Sequence, residues 1–400
     1  MAVQDHEAGA APAARSRGSF IYDPKVRGTF FQAIVLVAVL FFVYEAASNV
    51  ISNLQRQHIA SGFGFLEQTA GFEISQTLIP YAATSTYGRA FFVGLLNTLL
   101  VAVVGIAMAT VFGFVVGIMR LSKNWLIRQI ATTYVEIMRN VPLLLQLFFW
   151  YFAVLKQLPG PRNSIELGFG AALNIRGLYI PAPILGPGSW LVLTALAIGL
   201  IGSFLLARWA RRRQMATGER FPVPTAVLGL VIGLPVVAFF IAGQPITLET
   251  PEMKGFNLQG GVQVIPELVA LVLGLAIYTG AFIAEIVRAG IVSVSKGQTE
   301  ASHALGLTTG MTLWLVVIPQ AMRVIIPPLT SQYLNLTKNS SLAVAIGYPD
   351  LVSVFAGTVL NQTGQAVEVI SLTMLVYLVI SLLTSAFMNW FNAHVALVER

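Results

Sequence analysis

The sequence predicts an all-α integral membrane protein of eight transmembrane helices, with its N-terminus and C-terminus both on the inner side. Three observations carry that prediction. Of 400 residues, 56% are hydrophobic and only 10% are charged, where a soluble globular chain carries roughly 25% charged residues. The apolar residues gather into stretches that match a bilayer core of about 30 Å, which takes about 20 helical residues to cross. With the N-terminus inside, fifteen of the 24 Lys and Arg fall in inner loops and seven in outer loops, while Arg139 and Arg323 lie near span ends. An excess of basic residues in the inner loops is what fixes orientation during insertion, so N-in and C-in is selected.

Taken in order, residues 1–28 are rich in Ala, Gly and Arg, hold no apolar run, and read as a disordered cytoplasmic tail. Thr29 to Val50 is the first span, too long for a signal-peptide core and therefore a retained anchor. The outer segment Ile51 to Ala90 has room for a short interfacial helix, and its aromatics Phe63, Phe65, Phe72, Tyr81 and Tyr87 suit a membrane surface. Phe91 to Met119 is the second span. The third, Pro142 to Leu155, is short, but Ile127 to Met138 extends it toward the inner interface, with Pro142 as a kink or first-turn proline. Trp190 to Ala207 and Thr225 to Gly243 follow, then Val264 to Val287, Leu313 to Leu336 and Val367 to Phe391, with 393–400 as an inner tail.

Composition also excludes functions. There is no cysteine, and His6, His58, His303 and His394 are too scattered for a metal cluster. The basic run Arg208 to Arg213 lies beside a span, where it sets orientation and meets anionic lipid heads, so the net charge of +7 does not point to nucleic acid. No Gly-x-x-x-x-Gly-Lys-Ser/Thr phosphate loop occurs, so ATP has no backbone cradle here.

The most informative stretch is the inner loop Arg288 to Pro319. Ser295 and Gln298 have capping-box spacing, and Gly306 stands where a left-handed residue would end a helix of about ten residues. On that helix Ala301, Ala304 and Leu305 share an apolar face of mostly small side chains, with Glu300 and His303 offset toward a polar flank. A short helix held out from the membrane with such a face is a lever in need of a partner.

Glu300, Ala301, Ser302, Gly306, Val316, Ile318 and Pro319 resemble the EAA loop of ATP-binding-cassette importer permeases: Glu-Ala-Ala, three residues, Gly, nine residues, Ile, one residue, Leu-Pro. Ser302, Val316 and Ile318 depart from the pattern but keep size or apolarity. With Gly297, Gln298, Ala304 and Leu305 they make up the expected ATPase-coupling loop. Gly94 to Thr98, Glu136 to Gln146, Gly280 to Arg288 and Tyr333 to Leu342 are similar to the polar amino acid permeases of the histidine, glutamate, glutamine and arginine type. The resemblance implies a type I permease core of five helices within 89–392. Three helices are extra, one in 29–88 and two in an insertion at 160–260, as in extended permeases of the general L-amino acid type.

That resemblance further implies a bacterial inner-membrane location, a separate ATPase subunit in two copies that binds ATP and Mg, and no cofactor on this chain. A second, different permease chain and an extracytoplasmic amino acid-binding protein complete the expected assembly. For the substrate path the expected residues are Asn97, Arg139 and Gln146, because a zwitterion needs polar partners for both its charges. Glu285 and Arg288, at i and i+3, are an ion pair that is either structural or a gate, and Glu136 with Arg139 has the same spacing. Pro319, Pro327 and Pro328 interrupt the hydrogen-bond ladder of the seventh span, as a tolerated kink or as a hinge for the loop. The rival from another class is an ion-driven secondary transporter or channel, which calls for inverted repeats and a mid-membrane carboxylate that the sequence does not display.

Overall fold

The computed structural model describes residues 24–56 and 61–395, so most of the expected N-terminal tail and residues 396–400 lie outside the described residues. Helix α1 spans Pro24–Arg56, and none of its apolar membrane-length window is buried within the chain. The segment that follows, expected on the outer side, does contain a short helix, Phe63–Glu67, but most of its aromatics turn toward the chain's own helices. Phe65, 3% exposed, stacks against Tyr87 and Phe355, and Phe72 packs on Tyr81. Their rings gain more by closing over a neighbouring helix than by staying at an interface.

Two long helices, α2 (Tyr87–Met119) and α8 (Pro266–Val292), form the central seam. A Cβ added to Gly113 would lie 2.6 Å from Ile283 Cβ and 2.9 Å from the Gly280 carbonyl, and one on Gly117 would lie 2.8 Å from the Ala284 carbonyl. Lipid tails are as apolar as leucine, so membrane helices associate through such small-residue close packing rather than through hydrophobic transfer. Against this seam lie α3 (Trp125–Asn140) and α4 (Leu143–Phe148), the latter continuing as a π-helical turn to Val154 and a short turn to Gln157. These two halves of the expected third span meet at a bend of 109° at Val141-Pro142.

Among the described residues seven helices are long and apolar enough to cross a membrane, or up to eight if this bent pair is one span, and the seven overlap expected stretches.

The reading of the chain as wholly α-helical needs correction. Residues 165–185 and 246–264 form eight short strands. β1 (Ile165–Gly168), β2 (Ala171–Asn174), β3 (Gly177–Ile180) and β8 (Val262–Val264) make an antiparallel sheet, and Leu178 pairs with Val264 across the whole insertion. Two ribbons join it: β4 (Ala182–Leu185) with β5 (Ile246–Glu249), and β6 (Glu252–Lys254) with β7 (Asn257–Gln259). Strands of three or four residues are too short to print a period-2 pattern. The β1–β2 turn uses positive φ at Phe169 and Gly170, 51° and 78°, as two-residue hairpins require.

From this cap rise α5 (Ser189–Thr217), α6 (Val223–Leu228) and α7 (Leu234–Ile241), with a π-helical turn between α6 and α7; they pack principally on one another. The chain then passes through α8 to α9 (Lys296–Ala304), α10 (Thr309–Thr312), a π-helical turn and α11 (Ile318–Asn339). α11 stays helical through Pro327 and Pro328, so the break in the seventh span falls at the π-turn just before Pro319. Beyond it, a strap holding a π-helical stretch (Val352–Val359) and α12 (Leu360–Thr363) leads to α13 (Ala366–Val395).

Candidate functional site

α9 stands between the end of α8 and the start of α10, at the same end of the bundle as the termini of α2 and α3 that flank Arg120 to Asn124. Its C-terminus is closed by both bonds of a Schellman motif: Gly306 N–H donates to the His303 carbonyl at 2.9 Å and Leu307 N–H to the Ser302 carbonyl at 3.1 Å. Gly306 has φ +78° and no atom within 4 Å of an added Cβ, so glycine is required there by the backbone and not by crowding.

The other end differs from expectation. Ser295 makes no side-chain cap bond, and Gln298 is engaged elsewhere, accepting from Gln320 Nε2 of α11 at 3.3 Å. Lys296, Gly297 and Gln298 are exposed, so water can satisfy the open N–H groups. Ser302 is the buried side of α9, at 4%, while Ala301, Ala304 and Leu305 are all exposed, Leu305 at 82%. Glu300 and His303 are exposed beside them. The apolar face inferred from spacing is thus presented outward, and Pro319 sits half-buried in the first turn of α11.

Glu285 and Arg288 do pair, with Arg288 Nη2 2.5 Å from Glu285 Oε1. The second partner, Arg120, went unseen in the sequence because it reads as an ordinary loop charge. It caps α2 and ion-pairs with Glu285 Oε2, its side chain only 9% exposed. One carboxylate therefore holds two guanidinium groups, Arg288 within α8 and Arg120 at the end of α2, and the Arg120 bond ties α2 to α8; both bonds are charge-assisted. Glu136 and Arg139 form no such pair; the Arg139 guanidinium lies 5.3 Å from the Phe282 ring centre, a cation–π contact.

The three residues expected along a substrate path are not brought together. Asn97 is fully buried and its amide donates to the carbonyls of Gln76 and Pro349 at 2.9 and 2.8 Å, pinning the segment before α2 and the strap to α2. Gln146, 6% exposed, donates to the carbonyls of Met138 and Val141, both at 3.0 Å, which the bend between α3 and α4 leaves without helical partners. Their donors are thus spent on the chain's own backbone, and of the three only Arg139 is exposed.

Two features were missed. Asp350 is a fully buried carboxylate, bonded to Ser353 N–H at 2.8 Å and to the Tyr377 hydroxyl at 3.2 Å; it follows Pro349 in the strap, where hydropathy windows do not look. On α11, Val324, Pro327, Ser331, Asn335 and Lys338 share one exposed line at helical spacing, and its C-terminal half is polar. That line was legible from periodicity, since Ser331, Asn335 and Lys338 recur at three and four residues.

A bundle of apolar helices of membrane-crossing length that exposes a capped helix at one end defines a class: helical membrane proteins that hold a short helix out from the bundle. Residues 223–397 match the family described as the binding-protein-dependent transport system inner membrane component. The general L-amino acid transport system permease protein AapQ of Rhizobium johnstonii is 55% identical over 96% of this chain and 95% of its own length. The glutamate/glutamine/aspartate/asparagine transport system permease protein BztB of Rhodobacter capsulatus is 41% identical over 95% and 96%. Among solved structures, an amino acid ABC transporter crystallised with histidines is 22% identical over 77% of this chain and 95% of that one, with a TM-score of 0.46. The chain belongs to the family of ABC-transporter amino acid permeases.

Proposed function

We propose that this chain is the permease subunit of an importer that carries L-amino acids across the inner membrane of a bacterium, with eight spans and both termini in the cytoplasm. α9 is the coupling helix. Its exposed small-residue face docks into a cleft of an ATPase subunit, which binds ATP and Mg in two copies per complex. Closure of the two ATPase subunits pulls α9 and, through the Gln298–Gln320 bond, α11. Swinging such an equilibrium from 1:99 to 99:1 takes about 5.5 kcal/mol of differential binding, so the work comes from nucleotide and not from this chain.

An extracytoplasmic binding protein delivers the amino acid at the β-cap end, and a second, different permease chain closes the path. Arg139 and the exposed line of α11, with Ser331 and Asn335, face that path, because polar side chains turned to hydrocarbon are costly. Residues 89–392 are the permease domain, 160–260 an insertion into it, and α1 an added anchor.

The observation that carries this reading is the outward apolar face of α9, closed by a glycine whose conformation no side chain adopts cheaply. Gly306→Val tests it. Valine at φ +78° costs about 1–2 kcal/mol of local strain and unwinds the end of α9, so ATP-driven uptake by reconstituted complexes falls while insertion of the chain persists. Undiminished uptake refutes the coupling role.

A further inference from the structure

The basic run at the end of α5 divides into two sets. Arg213 is engaged within the chain: its Nη2 lies 2.7 Å from Glu219 Oε2, and its guanidinium rests 5.5 Å from the centre of the Trp209 ring. Arg208, Arg211 and Arg212 instead line a groove of about 560 Å³ together with Met215. At i, i+3, i+4 and i+7 these four share one face of the helix. Among the described residues no carboxylate lies within ion-pair distance of any of the three arginines.

The same face continues toward the middle of α5 as exposed hydrocarbon. Ile201, Phe204 and Leu205, one to two turns before Arg208, are 63, 67 and 58% exposed. The buried residues Gly199, Ser203 and Ala210 lie on the opposite side of the helix, where Gly199 meets Leu230 of the hairpin. An apolar stripe of about 10 Å that runs into three cations without counter-charge matches a molecule with apolar chains and an anionic head. A free phosphate would leave the stripe without a role.

The number of cations narrows the head. A guanidinium fork takes two oxygens of a phosphate at once. A lipid phosphodiester has two free oxygens, so one fork occupies it, and three forks on one face call for more than one phosphate.

We infer that this face of α5 binds a phospholipid carrying two phosphates, its chains along Ile201, Phe204 and Leu205 and its head among Arg208, Arg211 and Arg212. Bound there, it holds the tip of the inserted hairpin to one leaflet. The inference does not depend on what the importer carries.

The test titrates the purified permease–ATPase complex with tetraoleoyl cardiolipin and counts bound lipid by native mass spectrometry. Dioleoyl phosphatidylglycerol at twice the molar amount supplies the same charge on single phosphates, and pyrophosphate supplies the phosphates without chains. The wild-type complex prefers cardiolipin over phosphatidylglycerol, and pyrophosphate does not displace it. Replacing Arg208, Arg211 and Arg212 together by Gln weakens cardiolipin binding about 100-fold, while Arg213→Gln, on the same helix end, leaves it unchanged. The triple replacement by Lys keeps the charge without the forks and loses the preference for two phosphates over one. All three variants lie on exposed positions, and retention of the ATPase subunit checks that they assemble. Displacement by an equal concentration of pyrophosphate makes this a free-anion site and overturns the assignment. So does equal binding of the two lipids at matched charge, an unaffected triple Gln variant, or an equal loss with Arg213→Gln.

Discussion

The α2–α8 seam and the inserted α5/α6–α7 hairpin are built from similar residues and are buried differently. In α8, 61% of the most apolar window is buried within the chain, against 17% in α5 and none in 223–241. Both pairs rely on glycine for close approach: Gly113 meets Ile283, and a Cβ on Gly199 would lie 2.2 Å from the Leu230 carbonyl. They differ in what else crosses the contact. The seam carries the partly buried Arg120–Glu285–Arg288 bridge and supports α3, α4 and α11, while the hairpin's ion pair, Arg213–Glu219, is exposed at its tip. Apolar length therefore marks helices long enough to cross a bilayer, and small-residue spacing with a partly buried charge bridge marks which of them form the packed core.

That contrast can be broken by substitution. Gly113→Leu drives a side chain into Ile283 and the Gly280 carbonyl, an overpacking of about 3 kcal/mol; thermal stability and the yield of assembled complex collapse. Gly199→Leu is as crowded but unseats only the hairpin, so the core remains assembled, and equal damage from both would erase the distinction. Glu285→Gln leaves Arg120 buried without its anion, a loss of about 3 kcal/mol seen as a lower unfolding temperature. Glu219→Gln on the exposed pair costs below about 1 kcal/mol. Gln320→Ala removes the side-chain tie from α11 to α9, worth about 1 kcal/mol, and amide exchange across 296–304 speeds up while the seam is unaffected. The smallest effect is Gly202→Ala, whose Cβ would meet only Leu230 Cδ1 at 3.7 Å; stability stays within about 0.5 kcal/mol.

What was legible in the sequence followed how local the cause is. The apolar stretches and the Gly306 terminus depend on neighbours within a few residues, and both appear where spacing put them. The β-cap depends on pairing such as Leu178 with Val264, which short strands do not announce. The roles of Asn97 and Gln146 were also hidden, because an amide in a span signals only that it needs a partner; that the partners are backbone carbonyls at Pro349 and Val141 follows from the strap and the bend. Arg120 was hidden for the same reason, since its acid lies 165 positions away.

The central claim is that the face of α9 marked by Ala301, Ala304 and Leu305 meets an ATPase in the cytoplasm. The chain has no native cysteine, so Ala304→Cys provides a single thiol for a membrane-impermeant reagent. The account predicts labelling in inside-out vesicles, none in right-side-out vesicles, and protection of the thiol when the ATPase subunit is bound. Labelling from the outer face, or reactivity unchanged by the bound ATPase while import continues, would contradict it.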